Sequence, residues 1–286
     1  MKILLFACPE EGIKICQLLK NGRRNMKNRI SSLIQNFDRK LLIPFFTAGF
    51  PTKNKFLDLI KVAIDSGSDI IEIGLPFSDP LADGPEVQYS SHISLQKNIR
   101  LNDIFILIEK IRSFSEIPLV LMGYYNPILA YGEKRFFSKV KSLGVDGLII
   151  PDLPVDEAEE YTQLMEITGL SSIFLVSPTS ENDRIKAIDY YSSDFIYAVT
   201  VTGVTGTGKV FDKATDNYLK RISKQISKKV VAGFGVSSAD DAKRLAKYTD
   251  GVVIGSAFIK IIRNEKNFDS ALIKIERLLT SIRNAI

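Results

Sequence analysis

Short apolar runs alternate along this chain with longer segments in which apolar residues recur at helical spacing. The runs are bounded by glycine, proline and small polar residues, which is typical of strands that are buried on both faces. They predict strands at residues 41–47, 69–75, 118–124, 147–152, 172–176, 195–200, 229–235 and 251–256. Helices are predicted at 29–37, 52–65, 101–114, 133–143, 155–168, 181–191, 214–226 and 239–247, with further helical regions after residue 84 and after residue 256.

This alternation predicts right-handed β-α-β units and a parallel sheet that is covered by helices. About eight units within roughly 250 residues match a (β/α)8 TIM barrel. A doubly wound open sheet is the competing fold, and it predicts a GxGxxG fingerprint after the first strand. The chain instead has Thr47-Ala48-Gly49-Phe50-Pro51 there. We therefore predict an α/β fold with a single (β/α)8 barrel domain over residues 26–286 and an extra N-terminal helix.

The first 25 residues stand outside this pattern. Their apolar run, residues 3–7, is too short for the core of a signal peptide and is followed by Pro9 and two acids. We interpret residues 1–25 as an extension that is not part of the natural fold, with Met26 as the natural start. A short extra helix over residues 11–20 is the alternative.

Composition narrows the range of functions. At 286 residues, with 45% hydrophobic and 25% charged residues, the chain is typical of a globular protein with a sizeable core. Its formal net charge of +5 comes from scattered residues and indicates no basic arm for nucleic acid. Cys8 and Cys16, the two cysteines, fit neither a metal pattern nor a disulfide framework, which suits a reducing compartment. No apolar run reaches the roughly 18 residues that a membrane span requires.

Carboxylates are concentrated at the end of the second predicted strand, in the stretch 71–84. Glu72 lies within an otherwise apolar strand, where a charge is costly unless it is paired, protonated or used. Asp79 and Asp83 follow in a loop. One interpretation is a buried acid satisfied by backbone donors, with two capping aspartates. The other is a carboxylate pair for proton transfer, in which burial raises the pKa of Glu72 toward neutrality.

Further candidates follow other predicted strands, because the active site of a barrel lies at the carboxyl ends of its strands. Polar residues at these ends are Tyr124, Asn126, Asp152, Tyr197 and Thr205. Glycines follow the sixth, seventh and eighth strands, in Gly203-Val204-Thr205-Gly206-Thr207-Gly208, Gly233-Phe234-Gly235 and Gly255-Ser256. Tight turns explain each set equally well by itself, but three sets in consecutive loops favour a phosphate site built from backbone N–H groups and a helix start.

The residues that are missing argue against other chemistries. No lysine stands near a strand end in a Schiff-base position, which disfavours a covalent aldolase. His92 is the one histidine, which excludes a zinc site of several imidazoles and disfavours a metal-dependent epimerase or aldolase. Its polar neighbours favour a solvated helix position. The loop over residues 201–211 is interpreted as a mobile lid, with a plain connection as the alternative.

The stretch 71–84 resembles the signature of the tryptophan synthase alpha chain family, position for position. Further landmarks of that family occur in its order and spacing: Pro44-Phe45-Phe46-Thr47-Ala48-Gly49, Gly123-Tyr124-Tyr125-Asn126-Pro127, Pro151-Asp152-Leu153-Pro154, Gly203-Val204-Thr205-Gly206, Gly233-Phe234-Gly235 and Ile254-Gly255-Ser256. The likeness covers the chain from Met26 to its end.

This resemblance implies a (β/α)8 lyase of tryptophan biosynthesis. Its reaction is the retro-aldol cleavage of indole-3-glycerol phosphate to indole and glyceraldehyde 3-phosphate. The acid/base glutamate of the family falls on Glu72, and the aspartate that stabilises the protonated indole ring falls on Asp83. The family's phosphate contacts fall on Gly206, Gly235, Gly255 and Ser256. The residues that line or support its indole pocket fall on Phe45, Tyr124, Asp152 and Tyr197. The lid threonine that packs against the aspartate at position 83 falls on Thr205.

The resemblance also implies a partner. The family works as an α2β2 complex that passes indole to a beta chain with pyridoxal phosphate, while the alpha chain carries no cofactor and no metal. The rim around Asp79 and the region 124–127 are expected to meet the beta chain, and the bacterial cytoplasm or plastid stroma is the expected location. Residues 1–25 have no counterpart in the family. Beyond Gly206 this chain has Thr207-Gly208-Lys209, where many members of the family have an arginine nearby.

Two alternatives stay open from the residues. Another metal-free phosphosugar barrel enzyme, an isomerase, would need its acid and base on strands that face each other across the barrel. Both acids here come from the second strand and its loop. A catalytically inactive chain that only activates a beta chain would not need Glu72 and Asp83, which are present.

Overall fold

The computed structural model describes residues 28–36, 38–200 and 213–286. Its strands are β1 Leu41–Thr47, β2 Ile71–Gly74, β3 Leu119–Met122, β4 Gly147–Ile149, β5 Ser171–Ile173, β6 Leu175–Val176, β7 Phe195–Val199, β8 Lys229–Gly233 and β9 Gly251–Ile254. The described helices are α1 Arg29–Gln35, α2 Lys53–Asp65, α3 Pro85–Gln96, α4 Leu101–Arg112, α5 Tyr125–Tyr131, α6 Glu133–Ser142, α7 Ala158–Thr168, α8 Asn182–Tyr191, α9 Lys213–Ser223, α10 Ala239–Ala246, α11 Ser256–Asn264 and α12 Phe268–Ala285, with a 3-10 turn at Val155–Glu157. None of these helices has the length and apolar character to cross a bilayer.

The parallel sheet closes into a barrel. Hydrogen-bonded neighbours follow the order β5-β4-β3-β2-β1-β9-β8-β7-β6. Its two ends, β5 and β6, are separated along the chain by Phe174 alone, so they are halves of one barrel strand. Ser193 donates its backbone N–H to the Ser172 carbonyl (2.8 Å), and Tyr197 donates to the Phe174 carbonyl (3.0 Å). The predicted (β/α)8 barrel with an extra N-terminal helix is confirmed.

Side-chain alternation sorts the strand residues between the inside of the barrel and the layer under the helices. On β1, Ile43 and Phe45 belong to the inner cluster, whereas Phe46 packs with the helices. Glu72 stands opposite Phe45 on the neighbouring strand β2, and Ile73 after it belongs to the outer layer. Alternation therefore directs a carboxyl into a largely apolar interior.

Helix α1 covers the amino-terminal end of the barrel. The side chain of Asn28 accepts the backbone N–H of Ser31 (2.8 Å), which caps the helix, and donates to the Ser171 hydroxyl (2.6 Å) at the start of β5. Ile30 is fully buried in the inner cluster. A Cβ on Gly147 would lie 3.1 Å from its Cδ1 atom, so the glycine leaves room for this contact.

Buried or partly buried aspartates tie neighbouring strands together at the same end. Each of three aspartates, which lie one or two residues before a strand, accepts a backbone N–H at or next to the start of the adjacent strand. A donor at the sheet end is thereby satisfied by a charged acceptor. The pairs are Asp69 with Leu42 (2.8 Å), Asp146 with Leu119 (2.9 Å) and Asp250 with Val230 (2.9 Å).

Two helical regions differ from the sequence prediction. Helix α5 follows β3 where no helix is predicted, and it accommodates Pro127 in its first turn, where the missing N–H removes no intrahelical bond. The C-terminal helical region divides into α11 and α12. The second helix begins at Phe268, and the side chain of Asn267 directly before it caps the helix by accepting the backbone N–H of Ser270 (2.8 Å).

Candidate active site

An open cavity lies at the carboxyl ends of the strands, with about 470 Å³ of empty space that includes its opening to solvent. Of the predicted site residues, seven line it: Phe45, Glu72, Asp83, Tyr197, Gly235, Gly255 and Ser256. The acids come from β2 and its loop, and the glycines from the loops after β8 and β9. These strands stand three and two places from β2 around the barrel. The cavity thus brings together residues that are far apart in the chain.

Glu72 is the most deeply buried acid of the cavity, with 1% of its surface exposed. Its Oε1 atom has no hydrogen-bond partner among the described residues. Burial in this apolar layer raises the pKa of Glu72 to about 8, and the neighbouring Asp83 contributes to the same shift. Glu72 is therefore predominantly protonated at neutral pH and can donate a proton.

Asp83 reaches the cavity from the loop between β2 and α3. Burial raises its pKa to about 6, and a hydrogen bond from the Tyr124 hydroxyl acts in the opposite direction. The same hydroxyl accepts the backbone N–H of Ala82 (2.9 Å), and the Tyr124 ring stacks on Phe77 at 4.9 Å between centroids. Tyr124 does not line the cavity; it supports the loop from outside, and Asp83 stays predominantly ionised at neutral pH.

Tyr197 is a buried residue of β7 that faces both acids. Burial raises the pKa of its hydroxyl well above the ordinary value, with Glu72 and then Asp83 as further causes. The ring fits because position 233 on the adjacent strand is glycine: a Cβ there would overlap the ring and the hydroxyl of Tyr197.

We expect Gly233→Ala to displace the Tyr197 ring within the cavity. The added methyl cannot be accommodated without a shift, so catalytic efficiency should fall about tenfold or more and stability by about 1–3 kcal/mol. Gly147→Ala adds the same methyl to a buried strand glycine near α1, and it should reduce stability without changing KM. Steady-state kinetics and denaturant unfolding measure both effects. Equal kinetic effects of the two variants would contradict this assignment.

The glycines form a second, polar part of the cavity wall. Phe234 and Gly235 both have left-handed backbone conformations, with φ values of 75° and 82°. Gly255 caps α11, and a Cβ there would lie 2.7 Å from the Phe45 ring. The first N–H groups of a helix have no intrahelical acceptor and carry partial positive charge. Together with Ser256, this wall suits an anion such as phosphate.

The remaining predicted residues lie elsewhere. Asp152 accepts the backbone N–H of Tyr125 (2.9 Å) at the start of α5 and does not line the cavity. Asp79 is exposed and accepts a hydrogen bond from the Ser78 hydroxyl (2.5 Å), and His92 is exposed on α3, as its polar neighbours predict. Thr205 and Gly206, together with the predicted lid, lie outside the described residues.

Six lining residues were not predicted. They are Gly84, Val87, Met122, Phe234, Val236 and Val253. Met122 and Val253 could have been found from strand alternation, since both are apolar residues at the inner face near a strand end. Val87 had no signal in the sequence, because its position depends on how α3 packs over the barrel mouth.

The chemical capacity of the site follows from its two carboxyl groups. At neutral pH the cavity holds one protonated carboxyl group, Glu72, and one ionised carboxylate, Asp83, beside a wall that suits an anion. Among residues 28–36, 38–200 and 213–286, no group of three or more His, Cys, Asp or Glu side chains could hold a metal ion. The arrangement suits proton transfer to and from a phosphorylated substrate.

Comparison with known proteins gives consistent matches. The family model described as "Tryptophan synthase alpha chain" matches residues 32–286. The tryptophan synthase alpha chain of Flavobacterium psychrophilum is 45% identical over 82% of this chain and 92% of its own length. That of Thermoanaerobacter sp. is 39% identical over 91% and 100%.

Solved structures agree with the sequence matches. Tryptophan synthase subunit alpha of Legionella pneumophila superposes with a TM-score of 0.82 at 30% identity, covering 91% of this chain and 98% of that one. A chain from the tryptophan synthase α2β2 complex of Pyrococcus furiosus superposes with a TM-score of 0.80 at 35% identity, covering 87% and 100%.

Proposed function

Because the chain belongs to the tryptophan synthase alpha chain family, whose members are lyases that cleave indole-3-glycerol phosphate, we propose that Glu72 and Asp83 carry out this cleavage here. The observation that carries the proposal is a buried, protonated Glu72 that shares one cavity with Asp83 and the glycine wall. The roles of Glu72, Asp83 and the glycine wall in this cleavage are part of the same proposal.

The cleavage begins with proton transfer to the indole ring. Glu72 donates its proton to the ring carbon that carries the glycerol chain, and the ring nitrogen becomes positively charged. Asp83, ionised at neutral pH, accepts a hydrogen bond from the ring N–H and stabilises this charge. The difference between the two pKa values, about 8 and about 6, supports the division of roles.

The carbon–carbon bond breaks in the second step. The Glu72 carboxylate removes the proton from the hydroxyl group on the adjacent chain carbon, which becomes the aldehyde of glyceraldehyde 3-phosphate. The electron pair of the broken bond returns to the ring, releasing indole. Glu72 ends protonated as it began, so the cycle is balanced without an added acid or base.

The substrate's two ends require different surroundings. The Phe45 and Tyr197 side chains, with Met122 and Val253, offer an apolar surface for indole. Backbone N–H groups at Gly235, Gly255 and Ser256 suit the phosphate. Anchoring the phosphate would hold the scissile bond beside the acids. Thr205 and Gly206 remain proposed contacts from the lid, and Asp152 a supporting residue.

A beta chain with pyridoxal phosphate is the proposed partner, in an α2β2 assembly. Its support is the match to a chain of the Pyrococcus furiosus α2β2 complex. The rim after β2 has the required exposure, because Leu81 keeps 93% of its surface accessible beside Asp79. The alpha chain family itself is cofactor-free.

The division of the chain into an extension, residues 1–25, and a barrel domain, residues 26–286, is also a proposal. Its support is that the family match begins at residue 32 and that Ile30 already packs inside the barrel end. A location in the bacterial cytoplasm or plastid stroma stays a prediction, with the bacterial origin of the relatives as its support.

The direct test is product formation from indole-3-glycerol phosphate. We expect indole and glyceraldehyde 3-phosphate in equal amounts, measured with and without an added beta chain. Indole-3-glycerol without phosphate is the control substrate and should have a much higher KM. No cleavage in the presence of a beta chain would refute the enzymatic function.

The pH profile of kcat/KM is expected to be bell-shaped. The active form has Asp83 ionised and Glu72 protonated, so activity should fall below pH about 6 and above pH about 8. Tyr124→Phe removes the hydrogen bond that lowers the pKa of Asp83, so the acid limb should move to higher pH while the alkaline limb stays in place. If the acid limb came instead from the substrate phosphate, which titrates near pH 6, Tyr124→Phe would leave the limb in place and the prediction would be contradicted.

A further inference from the structure

Thr200 stands behind the glycine wall, directly after β7. It is buried, with 3% of its surface exposed. Its hydroxyl lies 2.7 Å from the carbonyl oxygens of both Gly233 and Phe234, and its backbone N–H also donates to the Gly233 carbonyl (3.2 Å). One side chain thus holds two successive peptide groups of the loop after β8.

Fixing these carbonyls also fixes two donors. In a trans peptide the C=O of one residue and the N–H of the next point in opposite directions. With the Gly233 and Phe234 carbonyls directed at Thr200, the N–H groups of Phe234 and Gly235 point away from it. In the part of the chain that the structure describes, neither N–H has an acceptor. Both residues line the cavity.

The restraint is needed because the loop is strained. Phe234 is not a glycine and has a φ of 75°, a left-handed conformation that L-residues rarely adopt because Cβ approaches the backbone too closely. Such conformations persist where the surrounding structure over-determines them. The Thr200 hydroxyl shares its single proton between the Gly233 and Phe234 carbonyl oxygens and so restrains the loop in this conformation.

We propose that Thr200 is a positioning residue for phosphate: it holds the Phe234 and Gly235 N–H groups toward the anion without touching the substrate. This inference rests on the proposed function of the cavity. Phosphate is remote from the bond that breaks, so loss of Thr200 should weaken the binding of substrate and transition state alike and raise KM with little change in kcat.

The test is steady-state cleavage by Thr200→Val and Thr200→Ser. The valine variant should raise KM about tenfold with kcat changed less than about threefold, and serine, which keeps the hydroxyl, should restore KM to within about threefold of the wild type. Thr249→Val is a matched control. Thr249 is also 3% exposed and its hydroxyl also contacts two carbonyls, those of Leu245 and Gly251, but at the other end of the barrel.

Calorimetric binding of two fragments separates this inference from the proposed function. Glycerol 3-phosphate should bind Thr200→Val about tenfold more weakly than the wild type, whereas indole binding should be unchanged. If the wild type fails to cleave the substrate but this difference remains, the proposed function is wrong and the inference holds. Equal effects of Thr200→Val and Thr249→Val, an unchanged KM, or no binding of glycerol 3-phosphate to the wild type would overturn it. Thr200→Ala replaces the valine variant if that one does not fold.

Discussion

Replacing Glu72 with glutamine is expected to lower kcat for indole release about 10³-fold, the usual contribution of a general acid and base. Glutamine preserves the size of the side chain but can neither donate the proton to the indole ring nor remove the hydroxyl proton. The measurement is the rate of indole formation under saturating substrate. Asp79→Asn is the control, because this acid from the same loop is exposed, and it should retain wild-type turnover in the isolated chain.

The same variant should be more stable than the wild type at alkaline pH. Below the ordinary pKa of 4.5, Glu72 is protonated in both the folded and the unfolded chain. Between 4.5 and about 8 only the unfolded chain ionises, so the free energy of unfolding of the wild type falls by about 1.4 kcal/mol per pH unit. Glutamine does not titrate and avoids this loss.

Denaturant unfolding of both proteins across this pH range checks the linkage. The two stabilities should differ most at pH 8 and above, and the gap should close as the pH falls toward 4.5. A loss of activity together with a gain in stability would assign Glu72 to function rather than to folding. Full activity in the variant would refute the proposed mechanism, and a pH-independent stability difference would refute the raised pKa.

Asp146→Ala should cause the largest loss of stability, about 3–5 kcal/mol, because it removes one member of a buried ion network. Asp146 is 1% exposed and accepts hydrogen bonds from the Leu119 backbone, from Arg112 (3.1 Å) and from Arg29 (3.1 Å). Burial already lowers the pKa of Arg112 to about 10, and the charge of Asp146 acts against that shift. Without the carboxylate, the Leu119 N–H loses its acceptor and the partly buried Arg112 guanidinium, which keeps its hydrogen bonds to backbone carbonyls, loses its ion-pair partner.

Chemical denaturation measured at constant pH tests this expectation. Asp183→Ala is the control: this exposed aspartate pairs with Lys186 (2.9 Å) on the surface of α8, and its loss should cost less than about 1 kcal/mol. Because Asp146 lies at the amino-terminal end of the barrel, remaining folded protein should keep the KM of the wild type. Similar losses for the two variants would contradict the role of the network.

Much of the fold could be read from the chain because strand and helix periodicity are local properties. The apolar run that begins at Leu41 became β1, and Thr52 caps α2 as its position before an amphipathic segment predicts. Helix α5 was missed because Pro127 and its neighbours are typical of a loop. The helix exists because proline is tolerated in a first turn and because Asp152, distant in the chain, accepts the Tyr125 N–H.

The sequence by itself determined that Glu72 lies within a buried strand and that Asp83 follows it in a loop, since a short apolar run and the turn residues after it are local features of the chain. The tertiary structure alone decided what surrounds them. Tyr124 supports the Asp83 loop from the turn after β3. Thr200 restrains the carbonyls of Gly233 and Phe234, which follow it by 33 and 34 residues. Val87 reaches the cavity through the packing of α3. These relations depend on which strands become neighbours when the barrel closes, and no local pattern encodes the distance between them.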